Sequence, residues 1–245
     1  MQKLNKISVS AVSYTNTKPF IYGLKQNTNL LSQMDLSLDI PSDCAAKLIS
    51  KQVDIGLIPV AAIPEVENAQ LISSFCIGSV GAVNSVFIFS QKALPEVKTL
   101  LLDSHSRTSN NLAKVLLKHH FKQDVAFLTD ENQAHDARVL IGDRTFFARK
   151  NYTYAYDLGQ VWMDFCGLPF MYAAWVANRE LPADFLKHFD LALAYGVAHI
   201  DELIPSLAPV TGIDLRAYLT QQLDFKLDEE KIKAKDLFLS LISEL

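Results

Sequence analysis

Two short polar segments carry the side chains best suited to binding a small anion and acting on it. The first is SYTNTKP at residues 13–19, and the second is SHSRTS at residues 104–109. Hydroxyl and amide groups dominate both segments, and the second also holds the guanidinium of Arg107. Each segment precedes a predicted helix, where backbone N–H groups and the positive end of the helix dipole favour an anion. We therefore expect each segment to hold one end of a dianionic ligand.

A structural interpretation of the same residues stays open at this point. Ser, Thr and Asn residues that precede a helix most often act as N-caps, each worth about 1 kcal/mol of stability. The presence of two such segments, one of them with Arg107, weakens the capping interpretation and leaves anion binding as a hypothesis.

The elements that must position these segments alternate between strands and helices. The pattern predicts strands over residues 7–12, 36–40, 54–58, 84–90, 99–102, 125–128 and 137–141. It predicts helices that begin at residues 19 and 41 and others over residues 111–121, 158–165, 184–194, 214–223 and 229–245. Such alternation indicates an α/β fold with mostly parallel sheets, in which ligands bind at the carboxyl ends of strands.

Composition excludes several classes of protein. The chain has 245 residues, of which 49% are hydrophobic and 20% charged, as in ordinary globular proteins. A net charge of −4 argues against a nucleic-acid-binding protein, and no run approaches the roughly 18 apolar residues of a membrane span. Three scattered cysteines predict reduced thiols, and the N-terminal segment contains no apolar signal core, so we expect a cytoplasmic protein.

Six stretches of the chain share their order and their residues with one known family. They are SYTNTKPFIYGL (13–24), DIGLIPVAAIP (54–64), GAVNSVFIFS (81–90), LDSHSRTSNNLAKVLL (102–117), LIGDR (140–144) and YDLGQVWMDFCGLPFMYAAW (156–175). Together they resemble the chorismate dehydratases of the futalosine route to menaquinone. Cys166 departs from the Thr that this family often has, and Thr15 and Thr17 are uncommon neighbours of Asn16.

The resemblance implies a two-lobed type II periplasmic-binding-protein-like fold with a central ligand cleft. One lobe would hold residues 1–88 plus 174–245 with the C-terminal helices, and the other would hold residues 89–173. The chain would pass between the lobes near residues 86–90 and again near residues 173–176. The implied activity is that of a hydro-lyase without metal or other cofactor, acting on the dianion chorismate.

The implied reaction removes water from chorismate and leaves 3-[(1-carboxyvinyl)oxy]benzoate. We assign Asn16 and Ser85 to catalysis, because they would position the reacting groups. Substrate binding falls to Ser13, Tyr14, His105, Ser106, Arg107, Thr108 and Ser109. The first segment offers Lys18 as its only basic group and contains no Asp, Glu or His, so we hypothesise that a carboxylate of the substrate takes the ring proton.

Other titratable residues receive structural assignments. The six histidines (105, 119, 120, 135, 188 and 199) lack metal-ligand spacing, so no metal site is predicted. Asp157 and Trp162 are expected to fix a helix, and Asp143 with Arg144 is interpreted as a structural ion pair or one in the cleft. Two alternative functions remain, namely the related naphthoate-forming enzyme of the same pathway and a solute-binding protein for small carboxylates.

Overall fold

The computed structural model describes residues 6–210 and 212–245. Within these ranges the strands are β1 (Ile7–Val12), β2 (Met34–Asp39), β3 (Ile55–Pro59), β4 (Gln70–Ser79), β5 (Val86–Ser90), β6 (Thr99–Leu101), β7 (Ala126–Leu128), β8 (Ala137–Ile141), β9 (Tyr154–Asp157), β10 (Phe170–Ala177) and β11 (Asp224–Lys226). The α-helices are α1 (Lys18–Gln26), α2 (Thr28–Gln33), α3 (Pro41–Ile49), α4 (Thr108–Val115), α5 (Arg144–Ala148), α6 (Leu158–Cys166), α7 (Ala183–Ala198), α8 (Ile200–Leu203), α9 (Leu215–Ala217) and α10 (Glu229–Ile242). Two π-helical segments, Leu116–His120 and Tyr218–Gln222, directly follow α4 and α9.

The chain divides into two compact units. The first unit contains residues 6–77, Tyr172–Ala208 and Phe225–Leu227. The second unit contains Gly78–Met171, the described residues of 209–224, and Asp228–Leu245. The chain leaves the first unit inside β4 and returns to it inside β10.

A six-stranded sheet with the order β11-β4-β10-β3-β1-β2 forms the centre of the first unit. Strand β1 pairs in parallel with β2 and β3, whereas β10 pairs with β3 in the antiparallel direction. The side chains of Val9, Ala11 and Val12 are buried, because helices cover the sheet. Helix α3 packs on β1 and β3, as a parallel crossover connection requires.

Helices α1 and α7 approach each other closely in the first unit through two glycines. A Cβ atom at Gly23 would lie 1.9 Å from the Ala192 carbonyl oxygen, and one at Gly196 would lie 1.9 Å from the Pro19 carbonyl oxygen. Only residues without a side chain fit at this contact. The contact holds the start of α1, and therefore the segment that precedes it, against the long helix α7.

The second unit is built on a five-stranded sheet with the order β7-β6-β8-β5-β9. Strand β6 pairs in parallel with β7 and β8, whereas β5 pairs with β8 and β9 in the antiparallel direction. Helix α10 packs on α4, and its Phe238 ring lies 6.0 Å from the Trp162 ring and 5.1 Å from the Phe170 ring. These rings are almost fully buried and form an aromatic core.

The predicted lobe boundaries differ from the observed units at the first crossing and in the C-terminal region. Residues 86–88 of β5 are predicted for the first lobe, but the hydrogen bonds of this strand to β8 and β9 place it in the second unit. The C-terminal helix was also predicted for the first lobe, but Phe238 packs in the core of the second unit. The first crossing lies between Ile77 and Gly78 rather than near residues 86–90.

The expectation of mostly parallel sheets needs correction, since both sheets are mixed. The antiparallel pairs involve β10 in the first unit and β5 in the second. Strand β5 comes soon after the chain enters the second unit, and the chain returns to the first unit inside β10, so no helical crossover within the unit sets the direction of either strand. No helix in the described part of the chain is long and apolar enough to cross a membrane.

Candidate active site

The segment between β1 and α1 forms a tight turn in the first unit. The Ser13 amide donates a hydrogen bond to the Asp39 carbonyl oxygen at 2.9 Å, and the Thr17 amide donates to the Tyr14 carbonyl oxygen at 3.1 Å. A 3₁₀ turn over Thr15–Thr17 then leads into α1. Three predicted site residues, Ser13, Tyr14 and Asn16, remain half-buried, so part of each side chain is accessible.

Asn16 does not act as a helix cap. Neither the 3₁₀ turn nor α1 receives a side-chain capping hydrogen bond. The Asn16 Oδ1 atom accepts from the Thr17 hydroxyl at 3.1 Å, which fixes the orientation of the amide. Among the residues that the structure describes, the Asn16 amide nitrogen has no hydrogen-bond partner. This geometry leaves an oriented N–H₂ donor for a ligand.

In the second unit, Ser106 does act as a cap. Its Oγ atom accepts from the Ser109 amide at 3.0 Å, at the start of α4. Ser106, Thr108 and Ser109 are buried, whereas His105 and Arg107 are half-buried. The capping interpretation of the second segment therefore holds for Ser106, and Arg107 supplies the positive charge of the turn.

The side chain of Asp103 holds the second turn, residues 104–109, in place. Its side chain is fully buried, and its carboxylate accepts from the His105 amide at 2.9 Å and the Ile141 amide at 3.1 Å. The Arg144 Nη2 atom donates to both carboxylate oxygens at 2.7 Å. Arg144 therefore forms its ion pair with Asp103, which ties the end of β8 to the start of the turn.

Ser85 lies in the second unit, just before β5, and is 2% exposed. Its carbonyl oxygen accepts from the Gly142 amide at 2.8 Å, and its Oγ atom accepts from the Tyr218 hydroxyl at 2.9 Å. Tyr218 is fully buried, and this burial raises the pKa of its hydroxyl, so the group stays protonated at neutral pH. Sequence reasoning missed Tyr218, because it is 133 residues from Ser85 and stands in no local motif.

Asp157 holds the segment that leads to Ser85. Its carboxylate accepts from the amides of Val83 and Asn84 at 3.1 and 2.6 Å and also caps α6 at Gly159 and Gln160. Burial raises the pKa of this carboxyl, against the effect of the backbone hydrogen bonds. Asp157 therefore has the structural role predicted for it, and Trp162 is buried in the core of the same unit.

The remaining histidines and cysteines form no reactive cluster in the described ranges. His188 and His199 face carbonyl oxygens of their own helix, and His119 lies 3.7 Å from the Glu244 carboxylate. Cys44 and Cys76 are buried, and all three cysteines are free thiols. No group of three or more His, Cys, Asp or Glu side chains in residues 6–210 and 212–245 is arranged to hold a metal ion.

Comparison with known protein families identifies the family of this chain. The sequence profile of a family described as menaquinone biosynthesis matches residues 7–244. The chain belongs to this family.

Individual proteins are similar to this member of the menaquinone biosynthesis family in sequence or in fold. A chorismate dehydratase from Thermus thermophilus is 26% identical over 196 residues, which cover 67% of this chain and 72% of the relative. Protein AF1704 from Archaeoglobus fulgidus has a TM-score of 0.75 at 13% identity and covers 100% of this chain and 98% of its own. The Candida albicans CA3427 protein, described as having the generic periplasmic binding protein fold, has a TM-score of 0.69 at 15% identity and covers 99% and 91%. The predicted α/β fold of the periplasmic-binding-protein type is thereby confirmed.

The structure distributes the predicted site residues of this family member over both units. The first unit holds Ser13, Tyr14 and Asn16, close together in one turn. The second unit holds Ser85 and the segment at residues 104–109. Gly142 and Arg144 connect these two parts of the second unit, because one contacts Ser85 and the other contacts Asp103.

Proposed function

We propose that this chain is a hydro-lyase that dehydrates chorismate to 3-[(1-carboxyvinyl)oxy]benzoate for menaquinone biosynthesis. The observation that carries this proposal is the match of a menaquinone biosynthesis family over residues 7–244, together with the chorismate dehydratase relative. The turns at residues 13–19 and 104–109 provide the polar groups that such a substrate requires. A biosynthetic role also supports a cytoplasmic location.

The reaction is balanced without an oxidant or reductant. A ring C–H bond breaks, its electron pair forms the new ring double bond, and the adjacent C–O bond breaks to release the hydroxyl. The proton first passes to a substrate carboxylate and the hydroxyl leaves as hydroxide; together they make up one molecule of water, and the ring becomes aromatic. The protein must therefore hold the carboxylates and align the two breaking bonds rather than supply redox chemistry.

Arg107 is assigned to a carboxylate of the substrate. It is half-buried at the start of α4, where the backbone N–H groups of the first helical turn add to its positive charge. The contacts of Asp103 with the His105 amide and with Arg144 fix the backbone of this turn, and therefore the position from which the Arg107 side chain extends. A carboxylate bound in this way is unchanged by the elimination, and the contact stabilises ground state and transition state equally.

Asn16 and Ser85 are assigned to the reacting groups. The oriented Asn16 amide donates to the substrate carboxylate that takes the ring proton, and the Ser85 hydroxyl donates to the departing hydroxyl. Neither residue accepts a proton at neutral pH. A substrate carboxylate as the base is consistent with this, since the turn at residues 13–19 contains no Asp, Glu or His.

The two assignments separate in steady-state kinetics, with rates read from the loss of the diene absorbance of chorismate. Arg107→Ala should raise KM roughly 10- to 150-fold with little change in kcat, as expected for the loss of one charge-assisted hydrogen bond. Arg149→Ala, a change to an exposed arginine of the same unit, is the control. Asn16→Ala should lower kcat on the order of tens-fold while calorimetry still detects chorismate binding.

Asn29→Ala is the matched control for Asn16, because Asn29 is exposed in the same unit. A variant at Asn16 that no longer binds chorismate would make Asn16 an anchor rather than a catalytic residue. Normal turnover of that variant would reduce the whole turn to a structural element. An unchanged KM in Arg107→Ala would remove the carboxylate assignment.

A further inference from the structure

The hydrogen bond between Tyr218 and Ser85 has a direction that matters for the proposed reaction. The Tyr218 hydroxyl donates to the Ser85 Oγ atom at 2.9 Å, with both side chains in the interior of the second unit. A serine hydroxyl has one proton and two lone pairs. Because Ser85 accepts from Tyr218, its own proton stays available for another acceptor.

We propose that Tyr218 is a positioning residue that orients the Ser85 proton towards the departing hydroxyl of the substrate. The inference rests on the proposed dehydratase function and deepens it. Tyr218 acts through Ser85 and does not touch the substrate. A hydroxyl that already accepts a hydrogen bond is also polarised into a better donor, so the pair donates more strongly than an isolated serine would.

The surroundings keep Tyr218 in the donor role. Burial raises the pKa of its hydroxyl, and the carboxylates of Asp143 and Asp157 add to this effect. The hydroxyl therefore retains its proton across the physiological range. The Phe146 ring packs edge-on against the Tyr218 ring with 5.3 Å between centroids, which restricts the ring to one orientation.

The backbone around Tyr218 is also shaped for this contact. The helix that begins at α9 widens into a π-helical segment at Tyr218, where the Leu223 amide donates to the Tyr218 carbonyl oxygen at 3.1 Å. Asp214 caps the start of this helix by accepting from two backbone amides. Isolated π-turns are uncommon and occur frequently at functional sites, where they shift the position of a side chain.

Ser85 is fixed from its other side as well. The Gly142 amide holds its carbonyl oxygen, and the Asp157 carboxylate holds the two preceding amides. Asn84 adopts a left-handed backbone with φ of 56°, a conformation that needs such support. With the backbone held in this way, the rotation of the Ser85 hydroxyl is the main remaining freedom, and the hydrogen bond from Tyr218 restricts it.

The test is a double-mutant cycle on kcat for chorismate dehydration, with Tyr218→Phe, Ser85→Ala and the double variant. Tyr218→Phe keeps the ring and removes only the hydroxyl. It should lower kcat about 3- to 10-fold and leave chorismate binding by calorimetry unchanged, since it weakens one neutral hydrogen bond. In the Ser85→Ala background the same change should have no further effect on kcat.

Tyr156→Phe is the matched control, because the Tyr156 hydroxyl accepts from the Leu94 amide at 2.9 Å elsewhere in the same unit. It should match Tyr218→Phe in thermal stability and leave kcat unchanged. The inference would be overturned if Tyr218→Phe had the same kcat as the Tyr156→Phe control. It would also be overturned if Tyr218→Phe lowered kcat by the same factor in the wild type and in the Ser85→Ala variant. If Tyr218→Phe folds poorly, the test rests on Ser85→Ala. This variant must lower kcat by at least about 3- to 10-fold while it still binds chorismate. A wild-type chain that does not dehydrate chorismate removes the proposed function, whereas an active wild type with an unaffected Tyr218→Phe removes only this inference.

Discussion

Asp103→Asn should destabilise the second unit much more than the loss of a single surface charge. The Asp103 side chain is fully buried, and Arg144 donates to both of its oxygens, while two backbone amides use the remaining lone pairs. Asparagine retains the shape, but it replaces one acceptor oxygen by a donor that faces an N–H group. Removing one partner of a buried pair costs about 3–5 kcal/mol. The Arg144 side chain is 34% exposed and can be partly hydrated, so we expect about 2–3 kcal/mol.

Urea unfolding followed by fluorescence measures this loss in the relevant unit. The chain has two tryptophans, and Trp162 belongs to the second unit while Trp175 belongs to the first. In a Trp175→Phe background, the fluorescence reports on the second unit alone. Asp236→Asn is the control, since Asp236 is 66% exposed and pairs with Lys235, and such surface pairs contribute about 0–1 kcal/mol. Equal unfolding midpoints for the two variants would refute the anchoring role of Asp103.

Three further predictions concern packing, acid stability and thiol reactivity. Gly23→Ala should cost about 1–3 kcal/mol or more in urea unfolding reported by Trp175, because its Cβ would lie 1.9 Å from the Ala192 carbonyl oxygen. Asp136 has a pKa of about 2, lowered from 3.8 first by its hydrogen bond from Lys92. The stabilisation by the Asp136 carboxylate is therefore complete above about pH 4 and is lost as the pH falls towards 2. The melting temperature of Asp136→Asn should therefore depend less on pH in that window than the melting temperature of the wild type. Burial raises the pKa of the Cys44 thiol to about 12, so thiol reagents at pH 8 should modify half-buried Cys166 first and Cys44 only after unfolding.

The local elements were largely predictable, because their signals are local. Strands β1 and β8 match the predicted residues 7–12 and 137–141, since β-branched and apolar residues there are bounded by polar turns. The proline at position 19 marked the first turn of α1. Strand β10 was not predicted as a strand: all its residues are buried, so no alternation of polar and apolar residues marks it.

The division into units was not predictable in the same way. It depends on which strands pair and on where Phe238 of the C-terminal helix packs, and both are contacts between residues far apart in the chain. The same reason explains why Tyr218 was missed. The residue types around it indicate an ordinary helix, and only the folded chain brings its hydroxyl to Ser85.

The candidate site was predictable to the extent that residue types determine it. The turns at residues 13–19 and 104–109 lie where strand ends and helix starts were expected, and Asn16 is not used as a cap. Ser106 proved to be a cap, and Arg144 forms an ion pair with Asp103. That one ligand contacts both turns stays a prediction, as do the roles of all the residues assigned to catalysis and substrate binding.

Incubation of the purified chain with chorismate tests the central proposal most directly. The reaction is followed by ultraviolet absorbance, and the product is identified by mass spectrometry. We predict that the diene absorbance falls while an aromatic product lighter by one water appears, at a rate that Asn16→Ala lowers. Chorismate that binds but keeps its diene and its mass would contradict the proposal and identify a solute-binding protein instead.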